Sequence, residues 1–488
     1  MSSSLQPEES APSQTDAVQA LDRKGVTTII TVLVISAFLM ILNETVLSVA
    51  LPNLMAEFNV DAVQVQWLTT GFLLTMAVVI PTTGFLTQRF TTRTLFTVAI
   101  SLFIVGTLVA ALAPSVGVIL LGRIIQAGGT AIVLPLLMVT TLTLVAPARR
   151  GTVMGLNSVV ISVAPAIGPT LSGLVVNTWG WRWIFGAIVP LAVILLIAGY
   201  VSLKHKNPTR RAPLDLLSVA FSAVAFGGLV YGLASISSII GGSMAPLGAF
   251  VVGLIALAIF VQRQIALQRK DDSALLNLKP FKFHNFRIAV TILVIAMGSM
   301  LGTVMVLPIY LQNGRGFSVL EAGLVLLPGG LIQGIASPFI GRLYDKLGAL
   351  PLVLPGAALL AGGLWWMTTL DAESSLTTVI ITNVVFSLGM AMVMTPLMTT
   401  ALGSLPRELY GHGSAILNTL QQLGGAAGTA GFIAALSIGA ATAASSGSDE
   451  AHAVIAGADV AFSLGGILGI IAIILAFFLR KDASNQSA

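Results

Sequence analysis

Fourteen apolar segments, each about the length of a bilayer-spanning helix, follow one another along this chain, and nearly every basic residue falls in alternate gaps between them. Cut at charged and turn residues, the segments run over 27–51, 65–88, 94–113, 116–143, 152–176, 184–203, 215–238, 246–264, 287–311, 320–340, 350–370, 377–402, 413–436 and 456–479. A helix needs roughly 20 apolar residues to cross the hydrocarbon core. Of the 24 Lys and Arg, all but Arg123, Arg182 and Arg315 lie at the termini, in the even-numbered gaps, or at the segment ends that border gap 8 (Arg263 and Arg287). Positive residues stay on the cytoplasmic side, so both termini are expected inside, a condition that only an even number of spans satisfies.

With 56% hydrophobic and 9% charged residues, the chain cannot cover a water-facing surface. The expected class is an all-α polytopic membrane protein. The net charge of +5 is dispersed over the cytoplasmic segments, so it reports topology, and no nucleic-acid partner is expected. The absence of cysteine excludes disulfides, thiol nucleophiles and Cys-based metal sites. None of the four histidines lies deep in a span, so neither metal nor cofactor is expected. Residues 1–22 lack a basic n-region and a small-residue cleavage site, which fits a disordered cytoplasmic tail before an uncleaved first span. The gaps are too short for a soluble domain. A P-loop, paired carboxylates and a Ser/His constellation are all missing, which argues against an ATP-driven pump and against a membrane enzyme.

Two gaps resemble each other. Gly84-Phe-Leu-Thr-Gln-Arg-Phe-Thr-Thr-Arg93 follows span 2, and Gly341-Arg-Leu-Tyr-Asp-Lys-Leu-Gly348 follows span 10. An offset of eight spans is what a six-span repeat with a two-span insert produces. The expected organisation is 6 + 2 + 6: an N-terminal tail (1–26), a six-helix bundle (27–203), an insert (204–270), a cytoplasmic linker (271–286), a second bundle (287–479) and a C-terminal tail (480–488). Parallel halves around a central site are a transporter architecture.

These residues give the chain a resemblance to the major facilitator superfamily, specifically its fourteen-helix drug:proton antiporters, over almost everything after the first ~25 residues. The two loops resemble the superfamily's signature loop. Leu121-Gly-Arg-Ile-Ile-Gln-Ala-Gly-Gly129 resembles its span-4 motif, and Ala164-Pro-Ala-Ile-Gly-Pro-Thr-Leu-Ser-Gly173 the antiporter motif of span 5. Ile41-Leu-Asn-Glu-Thr-Val-Leu-Ser-Val-Ala-Leu-Pro52 resembles the span-1 motif, in the form seen in lincomycin-resistance-type exporters, and Trp181-Arg-Trp-Ile-Phe185 is also typical of this branch. The resemblance implies a monomeric multidrug exporter of a bacterial inner membrane, taking lipophilic or cationic small molecules in exchange for protons. A same-fold transporter of a defined metabolite, peptide or lipid-like substrate is the alternative. Two departures from the resemblance stand out: most members of the family carry Asp where this chain has Asn43, with Glu44 beside it, and Gln88 replaces the usual Asp of the first signature loop.

Glu44 is the one acid well inside the first half. Counting from Pro52, it sits roughly 12 Å below the outer end of span 1, and Arg123 lies at a similar depth on span 4. An intramembrane charge is costly unless paired or in a watery cavity, so the two are candidate partners, either for proton coupling or as a permanently ionised structural pair. Substrate-binding candidates are polar or aromatic positions on the helices that would face the centre: Asn43, Gln66, Trp67, Thr70, Gln126, Asn418, Gln421 and Gln422. The methionines of span 12 (Met390, Met392, Met394, Met398) are assigned to core or lipid contact. Gating candidates are Gly84, Gln88, Arg89, Gly341, Asp345 and Lys346 in the loops, and Gly168, Pro169 and Gly173 on span 5. Symmetry suggests that span 5 seals against span 11, through Pro351, Pro355, Gly356, Gly362 and Gly363. The Ala/Gly/Ser-rich stretch 438–456 reads as a flexible external loop, with Asp459 at the start of span 14.

Overall fold

A computed structural model describes residues 23–203, 215–270 and 274–480. Residues 1–22 and 481–488 of the expected tails, residues 204–214 of the insert and residues 271–273 of the linker lie outside the described residues. Long helices dominate, and no strand occurs among the described residues. The first half contains α1 (Arg23–Phe58), α2 (Ala62–Val79, continuing through a 3-10 turn into Thr83–Arg89), α3 (Thr92–Ala111), α4 (Val116–Leu144), α5 (Arg150–Trp179) and α6 (Ile188–Ser202). The insert is α7 (Leu216–Ala234) and α8 (Met244–Lys270). The second half contains α9 (His284–Ile309), α10 (Val319–Leu347), α11 (Leu350–Met367), α12 (Leu376–Gly403), α13 (Tyr410–Ser445) and α14 (Glu450–Ala476). Among the described residues, thirteen helices are long and apolar enough to cross a membrane; α5, 30 residues long, stands where the fifth span is expected.

Local chemistry sets the helix starts. The side chains of Asp61, Thr91, Ser375 and Asp449 each accept a backbone N–H from three residues on, and Ser318 forms a full capping box with Glu321. Such caps satisfy N–H groups that a helix start leaves orphaned. Large apolar side chains such as Ile194, Ile197, Val252, Ile255 and Ile474 remain exposed, as a surface in contact with lipid requires.

Helices α1–α6 pack on one another, as do α9–α14. The halves meet along two seams, α5 against α10 and α2 against α13, which the eight-span repeat exchanges. The insert helix α7 lies beside α2 and α13. One apolar core fills the first half around Leu33, Phe96, Phe103 and Phe185. The core of the second half reaches across to Phe85, Met138, Leu142 and Met154 of the first, and to Leu275 and Leu276 of the linker. All of these lie toward the end that carries the basic loops, called the basic end below.

Three sequence expectations change. Span 5 packs along α10, whereas α11 packs on α12 and α14. The stretch 438–456 is no loop: α13 continues to Ser445 and α14 begins at Glu450. Alanine is the best helix former and glycine lets helices approach, and Gly439 lies against Gly457 of α14 with no room for a Cβ. Asp459 is therefore well inside α14, and Asp449 is the cap.

Candidate functional site

At the basic end the two halves are held together by main-chain contact. Gly341 of α10 rests on Gly151 of α5, so that a Cβ on Gly341 would overlap the Gly151 carbonyl oxygen and lie 3.1 Å from the Thr152 Cα. One turn deeper, Gly155 lies against the Ser337 carbonyl. The absence of side chains at these positions lets the carboxylate of Asp345 reach the start of α5. It accepts from the backbone N–H of Gly151 (2.7 Å), the N–H of Thr152 (2.8 Å) and the Thr152 hydroxyl (2.6 Å). An anion from one half thus caps the positive end of a helix of the other. The second seam uses the same parts without the charge. Gly84 faces His412 and Ala415 of α13, and Gln88 donates to the Glu408 carbonyl (3.2 Å). Arg89 and Lys346 are exposed, the former with its guanidinium 5.9 Å from the Phe85 and Phe90 ring centres.

Further in, Ser158 of α5 and Thr395 of α12 share a hydrogen bond of 3.0 Å. Ser414 donates to the Pro135 carbonyl (3.4 Å), and Asn418 donates to the Met138 sulfur (3.4 Å). These cross-half hydrogen bonds all lie toward the basic end. Sequence reasoning missed Ser158, Thr395, Ser414 and His412. A single small polar residue in a membrane helix carries no signal of its own, and His412 lies just before the apolar segment it belongs to.

Arg123 on α4 is wholly buried. Its guanidinium donates to the Asn43 side-chain oxygen (3.0 Å), to the main-chain carbonyls of Asn43 (3.2 Å), Glu44 (3.4 Å) and Leu68 (3.5 Å), and to Gln126 (3.4 Å). The Phe72 ring centre lies 4.1 Å from it. Acceptors and an aromatic face thereby replace the water that a buried cation loses. The Arg123–Glu44 relation expected from depth is therefore made through the Glu44 main chain, and no carboxylate–guanidinium ion pair between them occurs among the described residues. Neighbouring helix positions differ by about 100° in direction, and it is Asn43 that meets α4. Asn43 is fully buried and its Nδ2 has no hydrogen-bond partner; Glu44 is partly exposed.

The span-5 motif packs inside its own half. A Cβ on Gly168 would run into the Thr45 side chain of α1, and the Ser172 hydroxyl donates to the Val46 carbonyl. The expected contact of Gly168 with the other half is thus replaced by contact with the residue after Glu44. Gly173 is half-buried on the same helix, and the side chain of Pro169 lies outside the described ones.

The candidate substrate positions separate. Trp67 stacks on Tyr231 of the insert (5.7 Å between ring centres), which turns it from the centre toward α7. Gln66 is exposed and Thr70 half-buried. Gln126 donates to Thr107 of α3 (2.8 Å) and so serves the interior of the first half. Asn418 joins the cross-half contacts. Gln421 is buried with its Nε2 unpartnered, and Gln422 is half-buried.

The model of the Major Facilitator Superfamily matches residues 33–429. The chain belongs to this superfamily. Among curated relatives, the uncharacterized MFS-type transporter YcnB of Bacillus subtilis is 40% identical over 93% of this chain and 95% of its own length. The lincomycin resistance protein LmrB of Listeria monocytogenes is 39% identical over 93% and 96%. Among solved structures, the human organic anion transporter MFSD10 superposes with a TM-score of 0.68 at 16% identity, over 92% of this chain and 99% of its own. The proton:xylose symporter XylE gives 0.63 at 18% identity, over 94% and 97%. This superfamily member is a multi-pass membrane transporter, with no enzyme chemistry implied by its family.

Proposed function

We propose that this transporter exports lipophilic or cationic drugs in exchange for protons, with Glu44 as the proton site. The basic end faces the cytoplasm, so the contacts described above close the cytoplasmic side and leave the protein poised toward the outside. The observation that carries the reading is the position of Glu44: one acid deep in the first half, adjoining the fully buried Arg123–Asn43 knot and the Gly168–Thr45 contact of the span-5 motif. A change of charge at Glu44 is next to the packing of α1 on both α4 and α5, which is where a proton must act to alter how the half is held. The relatives named for lincomycin resistance support the substrate class.

The test is proton movement in proteoliposomes carrying an internal pH dye, challenged with lincomycin and a panel of lipophilic cations. The native protein should couple compound flux to proton flux. Glu44→Gln should be folded and membrane-inserted yet uncoupled. Transport against a gradient at the native rate by the Gln variant would remove Glu44 as the coupling site.

A further inference from the structure

At the basic end of the α2–α13 seam lies a cavity of ≈ 380 Å³. Gln88 of α2 lines one side, Glu408 and His412 another, and Asn277, Lys279 and Lys282 of the linker a third. The linker is held in place rather than loose. Gln264 and Gln268 of α8 accept from the backbone N–H groups of Leu276 (3.2 Å) and Leu278 (3.3 Å). Asn277 donates its N–H to His412 Nδ1 (3.2 Å), and its side chain accepts from the Lys279 N–H (2.9 Å). Gln264 is braced in turn by Ser218 (2.8 Å), and Ser218 by Asp215 (2.6 Å), which is clamped by Arg263 (2.8 and 3.0 Å). The insert therefore fixes the backbone from which two lysines reach the cavity.

We propose that this cavity binds a phosphate-bearing anion, supplied by an anionic phospholipid headgroup or by free phosphate, and that occupancy favours the state closed at the basic end. Of the charged residues that line it, two are lysines and one is a glutamate, a lining that favours an anion. Buried Asn277 and His412 supply polar walls, and Phe283 supplies an apolar edge. Lys279 lies five residues before the start of α9, and the ends of spanning helices are where a chain meets the headgroup layer. The walls come from both halves, so separating α2 from α13 splits the cavity. A ligand that needs it intact must shift the molecule toward closure. The lipid source rests on the orientation proposed above.

The native chain has no cysteine, so a Thr399→Cys reporter, buried on α12 near the basic end, reads opening by its rate of maleimide labelling. In nanodiscs of phosphatidylglycerol, labelling should be slower than in phosphatidylcholine, and Lys279→Gln with Lys282→Gln should erase the difference. Lys282→Gln alone should erase part of it, and Arg269→Gln with Lys270→Gln, an equal loss of charge on α8, should leave it. Native mass spectrometry should show the two-lysine variant binding phosphatidylglycerol roughly 30-fold more weakly, from about a kcal/mol per lysine. Inorganic phosphate added to phosphatidylcholine discs separates the sources: slowed labelling identifies a free anion as sufficient, and no slowing assigns the site to the lipid. Equal labelling under all three conditions, faster labelling with the anion, or a lipid effect that survives loss of both lysines overturns the proposal. None of these readouts needs export, so a failed drug panel leaves them standing.

Discussion

Asp345→Asn should release the closed basic end. The carboxylate takes three hydrogen bonds, of 2.7, 2.8 and 2.6 Å, from the first residues of α5. Hydrogen bonds to a charged group contribute about 1.5–3 kcal/mol each, against about 0.5–1.5 for neutral ones. The negative charge at a helix start adds about 0.3–1 kcal/mol. An asparagine keeps one acceptor oxygen and no charge. A net loss of about 2–3 kcal/mol is expected, after allowance for the water that replaces part of it. At 1.4 kcal/mol per decade, the closed-to-open ratio should fall roughly 30- to 150-fold. Gln88 holds its partner by one neutral bond of 3.2 Å, so Gln88→Ala should change the ratio no more than about tenfold. The Thr399→Cys reporter measures both variants by labelling from the basic end. Equal acceleration in the two, or none in Asp345→Asn, would falsify the idea that one cross-half charge dominates closure.

Arg123→Lys should be impaired because a lysine cannot span the acceptors on α1 and α2; a mutant cycle of Arg123→Lys with Asn43→Ala on thermal stability should show coupling of about 0.5–3 kcal/mol, and additive losses would contradict the contact. Gly168→Leu should abolish proton coupling by pushing Thr45 and α1 aside while leaving Thr399→Cys labelling near native, because the clash is within one half; large opening of the basic end would refute that assignment. The Arg263 guanidinium bonded to Asp215, helped by Ser218, holds the Asp215 carboxyl below its ordinary 3.8. A lowered pKa gives stability that is present above the ordinary value and lost as pH falls through the lower folded value. Hydrogen exchange along linker residues 274–278 should accordingly rise on acidification below about pH 4 in the native protein, whereas Asp215→Asn should already exchange fast at neutral pH. A native linker that is indifferent to acid would uncouple it from the insert.

The sequence made the spans, the repeat and the charged loop legible because each is written in residue type and spacing. Asp345 could be found as the one acid in the paired loops, although its actual partner, the start of α5, is a backbone group and leaves no mark in composition. Arg123 was legible by depth alone. Which of Asn43 and Glu44 receives it depends on helix rotation, which a depth count does not contain. The mistaken pairing of span 5 with span 11 has a similar origin. Glycines and prolines advertise close approach without naming the neighbour, and the two seams follow from exchange of the halves: moving span 5 by eight gives span 13, which meets span 2. The helical end of α13 was hidden because alanine and glycine look the same in a packed helix as in a loop.

The insert makes the molecule lopsided. In a purely two-fold bundle both seams would border lipid alike. Here α7 stands beside the α2–α13 seam with α8 packed on it, while along α5 and α10 large apolar side chains such as Leu156, Leu174, Leu324, Ile335 and Phe339 are exposed. A greasy solute diffusing within the bilayer therefore meets two different flanks, one screened by a pair of extra helices and one presenting its joint directly to the acyl chains.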